Sequence, residues 1–176
     1  MKKLLIVVDY QKDFVDGTLG FPAAALLETA ICGKIESCRN SGADICFTFD
    51  THTSRYLETQ EGKKLPFPHC LRGSGGWELY GKAAALRRAE DRVFEKPSFG
   101  SLELLAFLKE QDYEEIELVG LISNICVLSN AVLAKTALPE ARIVVDASCT
   151  ASFDADLNEK ALDVMAGLQM ELINRK

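Results

Sequence analysis

LLIVVD at residues 4–9 and DICFTF at residues 44–49 are short apolar runs, the first closing on Asp9 and the second running into Asp50. Between them apolar residues recur at helical spacing, at Leu27, Ala30, Ile31, Ile35 and Cys38. Continuous apolar runs fit strands covered on both faces, and the intervening spacing fits a helix laid across them, so the chain opens as a βαβ unit. The alternation resumes downstream. A helical face at Leu102, Leu105 and Leu108 precedes the strand IELVGL at 116–121, an apolar helix runs from about Cys126 to Leu138, and RIVVD at 142–146 reads as a strand. A last helix marked by Leu157, Ala161, Val164, Met165 and Leu168 leads into a closing strand near 171–173. With a brief strand at 92–94 the count is six. The predicted fold is α/β, a three-layer α/β/α arrangement with a six-stranded, mainly parallel sheet, and residues 1–176 form a single domain.

The interval from Thr51 to Glu90 breaks this rhythm. It holds Gly62, Pro66, Pro68, Gly73, Gly75 and Gly76, and reads as a long functional loop followed by a short helix near 77–87. RGSGG at 72–76 follows no strand and lacks the lysine–serine ending of a phosphate loop, so it reads as turns.

Composition narrows the partners. Hydrophobic residues make up 48% of the chain and charged residues 26%, which argues against disorder. The formal charge is −6, with Lys and Arg scattered singly, so there is no basic footprint for nucleic acid or an anionic membrane and a small molecule is the expected partner. The apolar run at the N-terminus is too short for a signal peptide or a membrane span, which predicts a cytoplasmic protein. Six cysteines at 32, 38, 46, 70, 126 and 149 form no CxxC pair, and the default for each is a reduced, buried thiol.

In open α/β sheets the ligand crevice lies beyond the carboxyl ends of the strands. Asp9 and Asp50 close the first two strands, Lys96 follows the third, and Cys126 lies just past the fourth, in GLISNICVLSNA. Ser123 or Asn124 can cap the helix there, and a thiol in a first helical turn is expected to have a lowered pKa. The pattern fits a structural cysteine on an apolar helix equally well. Asp9 and Lys96 favour the nucleophile, because a carboxylate ending an apolar strand needs a hydrogen-bonding partner or a catalytic task. The two histidines of the chain, His52 and His69, both fall in the irregular segment, with Asp50 two residues before the first. Two imidazoles and a carboxylate suit a divalent ion, Zn, Fe or Mn, with open positions left for water or substrate; unrelated loop histidines are the alternative.

DYQKDF at 9–14, FDTH at 49–52, PFPHCLRGSGGWEL at 66–79, EKPSFGS at 95–101 and GLISNICV at 120–127 together resemble the isochorismatase-like cysteine hydrolases, and within them the nicotinamidase branch. The resemblance covers essentially the whole chain. It implies an amidohydrolase that converts nicotinamide and water to nicotinate and ammonia through a cysteine thioester. Its triad would be Asp9 as proton carrier, Lys96 as supporting cation and Cys126 as nucleophile, with an oxyanion hole from the backbone amides of Ile122 and Cys126 reached through a cis Leu121–Ile122 peptide. It further implies one divalent ion per chain, Zn foremost, held by Asp50, His52 and His69, with Glu61 preferred over Glu58 as an added ligand. Phe14 would line the ring pocket, and the protein would be a homo-oligomer. The alternatives are hydrolysis of another small amide or carbamoyl compound and, from a different class, a non-catalytic binding or interaction domain on the same scaffold.

Overall fold

A computed structural model describes residues 1–175. Six strands form one sheet: β1 (Lys3–Val8), β2 (Asp44–Asp50), β3 (Arg92–Lys96), β4 (Glu115–Leu121), β5 (Arg142–Ala151) and β6 (Glu171–Ile173). Their order is β3-β2-β1-β4-β5-β6, and every neighbouring pair is parallel. The chain winds outward from β1 to β3, then restarts at β4 on the other side of β1. The carboxyl ends of β1 and β4 therefore flank the point where the winding reverses, which is where ligands bind in this architecture.

The period of two along β1 builds the two halves of the core. Leu4, Ile6 and Val8 pack with Leu104 and Leu108 of α6 (Leu102–Lys109), Ala131 and Ala134 of α7 (Leu128–Ala137), and Leu162 and Met165 of α8 (Ala155–Gly167). Leu5 and Val7 face the opposite layer, with Ala24 of α2 (Pro22–Leu26), Ile31 and Ile35 of α3 (Glu28–Asn40) and Ala83 of α5 (Gly81–Leu86). A strand buried on both faces needs no polar alternation, which is why LLIVV is uniformly apolar. Two short helices remain, α1 (Lys12–Val15) beside the first strand end and α4 (Gln60–Lys64) in the long connection after β2.

Several boundaries differ from expectation. β3 runs two residues further, so Lys96 is its last residue instead of following it. The helix expected near 77–87 is confined to α5, where Tyr80 is the N-cap, and residues 75–77 make a separate 3-10 turn. β5 continues past Asp146 to Ala151 because its register on β4 shifts between Leu118 and Gly120; Val145 pairs with Leu118 but Thr150 with Gly120. Gly120 sits at φ +108, and a Cβ there would overlap the carbonyl oxygen of Val8. Among the described residues no helix is long and apolar enough to cross a membrane.

Candidate active site

Asp9, Lys96 and Cys126 meet at the winding reversal. Lys96 Nζ lies 2.6 Å from Asp9 Oδ2 and 3.4 Å from Cys126 Sγ, and also donates to the Ser98 carbonyl at 3.0 Å. Thr48 Oγ1 donates to the other oxygen of Asp9 at 2.6 Å. Asp9 has φ +45, a left-handed conformation uncommon for a residue with a side chain, and its amide donates across to the Thr48 carbonyl. Burial lifts the pKa of Asp9, with the Lys96 charge offsetting only part of the rise. Burial draws Lys96 down, but the charges of Asp9, Cys126 and Asp50 outweigh it and keep the ammonium protonated.

The turn carrying Cys126 is wider than an α-helix. Residues 123–127 form a π turn, in which Val127 N donates to Ile122 O at 3.1 Å, and α7 begins only at Leu128. Neither Ser123 nor Asn124 caps it; Ile122 occupies the N-cap position and supplies no side-chain bond. The lowered thiol pKa expected at a helix start does not appear. Burial pushes Cys126 well above its ordinary value, Lys96 draws it back only in part, and Asp9 and Asp50 add to the rise. A terminal half-charge is a smaller effect than removing a thiolate from water. The peptide between Leu121 and Ile122 is cis, and both Ile122 and Cys126 face the cavity described below.

Asp50, His52 and His69 form the second cluster. Their ligand atoms all lie within 4.8 Å of one another, and all three side chains are buried. Asp50 Oδ2 stands 3.0 Å from His52 Nε2 and 3.3 Å from His69 Nε2. The distant histidine is brought in by a short parallel bridge, with His52 N donating to Cys70 O and Arg72 N donating to His52 O. His69 Nδ1–H donates to the Phe67 carbonyl at 2.8 Å, which leaves Nε2 free to act as a ligand. Glu61 Oε1 lies 3.7 and 3.9 Å from the two Nε2 atoms, whereas Glu58 pairs with Arg55 at the surface. The donor set therefore fits a divalent ion. Burial raises Asp50, yet the hydrogen bonds from both histidines and the Lys96 charge hold its carboxyl well below the usual range.

A cavity of about 390 Å³ opens between the two clusters, lined at its inner end by Asp50, Glu61, His69 and Cys126. Phe14 also lines it and meets His69 edge to face, with ring centroids 5.5 Å apart. No Lys or Arg lines this cavity among the described residues.

The family model for the isochorismatase domain matches residues 3–176. The chain belongs to the isochorismatase family. Among its family relatives is the protein PncA of Bacillus subtilis strain 168, 33% identical over 94% of this chain and 95% of the relative. The crystal structure of nicotinamidase PncA from Bacillus subtilis superposes with a TM-score of 0.86 at 29% identity, covering 98% of this chain and 99% of the other. The pyrazinamidase/nicotinamidase of Streptococcus mutans UA159 gives 0.85 at 30% identity, covering 98% and 100%.

The candidate site of this isochorismatase-family chain also contains residues that the sequence motifs assign no role. Gln11 grips the backbone of Asp50 at both ends, its Nε2 donating to Asp50 O at 3.0 Å and its Oε1 accepting from Asp50 N at 2.8 Å. Asp13 Oδ2 accepts from Cys70 N at 2.7 Å, which anchors the residue beside His69. Tyr56 packs against both histidine rings. Asn130, wholly buried, donates to Cys126 O at 2.8 Å and Phe99 O at 3.0 Å and accepts from Ser101 N at 3.0 Å. Gln11 and Asp13 lie inside the quoted DYQKDF block, so their signal was present; Asn130 follows Cys126 by four residues, a helical spacing that hints at contact.

Proposed function

We propose that residues 1–176 act as one nicotinamidase domain, an amidohydrolase that cleaves the carboxamide C–N bond of a small aromatic amide through Cys126. The observation that carries this reading is Lys96 Nζ standing between Asp9 and Cys126, at 2.6 and 3.4 Å, with Cys126 lining the cavity. The similarity to PncA of Bacillus subtilis over nearly the whole length supports the choice of substrate.

Burial raises the Cys126 thiol pKa, so in this reading the nucleophile is generated during reaction. Asp9 takes the thiol proton as sulfur attacks the carboxamide carbon, and the C–S bond forms while the carbonyl oxygen becomes anionic. Backbone N–H groups of Ile122 and Cys126 meet that oxygen. Asp9 then returns the proton to nitrogen, the C–N bond breaks and ammonia leaves. Water, deprotonated by Asp9, opens the thioester to release the acid and restore the thiol. Lys96 remains charged throughout and stabilises the ionised form of Asp9.

Asp50, His52 and His69 would hold a divalent ion, with Glu61 as the nearest further ligand and zinc the first choice for this donor set. When bound, such an ion supplies Lewis-acid coordination to a ring nitrogen. Phe14 bounds the ring pocket. No lysine or arginine lines the cavity to pair with the carboxylate of an N-carbamoyl amino acid, whereas a neutral aromatic amide needs no such partner. Ammonia release from nicotinamide, pyrazinamide and N-carbamoyl compounds tests the reading. Turnover confined to the carbamoyl compounds would overturn it.

A further inference from the structure

The cavity lining joins the buried Asp50, His69 and Cys126 to three exposed aromatic rings. Phe67, Phe99 and Phe153 stand at its mouth, each from a different connection: α4 to α5, β3 to α6, and β5 to α8. They are 55%, 45% and 62% exposed, three large rings left in water around one opening. Single exposed apolar residues are ordinary, but a convergent group rimming a pocket marks a contact surface.

The backbone behind each ring is fixed. The Phe67 carbonyl accepts from His69 Nδ1 at 2.8 Å, and the Phe99 carbonyl accepts from the buried Asn130 at 3.0 Å. Phe153 precedes Asp154, whose amide donates to Ser152 Oγ at 3.1 Å and whose side chain caps α8 by accepting from Asp156 N and Leu157 N. Phe21 meets Phe153 edge to face, with centroids 6.3 Å apart. A rim held this way loses little freedom on contact, so covering it yields affinity with a small ordering penalty.

Resting on the amidohydrolase reading, we propose that this rim selects neutral carboxamides bearing an apolar substituent on the ring, pointing outward between Phe67, Phe99 and Phe153. The carboxamide occupies the polar end beside Cys126, and the substituent covers rings that an unsubstituted pyridine carboxamide leaves wet.

The test uses the metal-loaded protein with nicotinamide and a set of nicotinamides carrying methyl to propyl groups at each open ring carbon. Two readouts are taken: protection of Cys126 from iodoacetamide, followed by mass spectrometry, and ammonia release. At one ring position or more, the half-protecting concentration should fall roughly two- to fourfold per added methylene, as expected for burying a CH₂ group in whole or part. In Phe99→Ser and Phe153→Ser, where the altered side chains are exposed and folding is not at stake, that gain should shrink toward none. Alkylated compounds that protect no better than nicotinamide at every position, or a gain that survives both substitutions, would overturn the inference. A protection gradient without ammonia release from any compound would defeat the amidohydrolase reading and leave the rim assignment standing. Ammonia release with flat protection would do the reverse.

Discussion

Asp9 Oδ2 and Lys96 Nζ are 2.6 Å apart with both side chains withdrawn from solvent. In the proposed mechanism this pairing keeps the carboxylate available as a base although burial raises its pKa. The base works only when ionised, so activity should be present above the Asp9 pKa and fall as pH drops through it. The acid limb of kcat should therefore lie above the ordinary aspartate value of 3.8. Asp9→Asn should lower kcat by roughly 10²–10⁴-fold with a much smaller change in substrate binding, read by steady-state kinetics. A large rise in KM with unchanged kcat would assign Asp9 to binding instead.

Removing the nucleophile should separate chemistry from structure. Cys126→Ala should abolish turnover while circular dichroism and metal content stay near normal. Cys46, a β2 residue buried in the core, should behave oppositely, with Cys46→Ala lowering thermal stability and leaving kcat close to wild type. Residual turnover in Cys126→Ala above a few per cent would exclude the covalent route.

For the metal cluster, elemental analysis of purified protein should find about one divalent ion per chain, and His69→Ala should lose most of it. Exhaustive chelation should weaken binding of nicotinamide more than it slows alkylation of Cys126. Full activity in chelated protein shown to be metal-free would exclude the assignment.

Much of the site was legible because strand ends are legible. An apolar run that stops on an acid identifies both the strand and the polar residue just beyond it, and this brought out Asp9 and Asp50; the histidines announced themselves by falling together in the irregular segment. What the pattern could not carry was geometry made by hydrogen bonds across the fold. Gln11 holding Asp50, Asn130 joining the Phe99 loop to the Cys126 turn, and the π turn itself leave no periodic trace. The thiol pKa departs from the helix-start expectation for a related reason. Position at a helix start is visible in one dimension, whereas the burial that outweighs it is a property of the whole packed layer.

A further titration lies away from the site. Burial raises Asp146, but bonds from Ser148, the Lys34 ammonium at 2.9 Å and Asn174 more than reverse this and hold it below its ordinary 3.8. A depressed folded-state pKa adds stability that is present above the unfolded value and lost as pH falls through the folded one. Melting temperature should thus decline below about pH 4, and Asp146→Asn should be less stable at neutral pH yet show a shallower acid decline. Parallel curves for the two proteins would remove Asp146 from the account.

Gly120 sets a tolerance that no side chain of the site controls. It is the register partner of Val8, the residue just before Asp9, and it lies six residues ahead of Cys126 on the adjoining strand. The strands leave no room for a Cβ there, since one built on Gly120 would fall on the Val8 carbonyl oxygen. The gauge between the Asp9 carboxylate and the Cys126 sulfur is thus machined into the sheet itself. A single methyl at position 120 would wedge β1 from β4 and retune that spacing while leaving every group of the triad chemically intact.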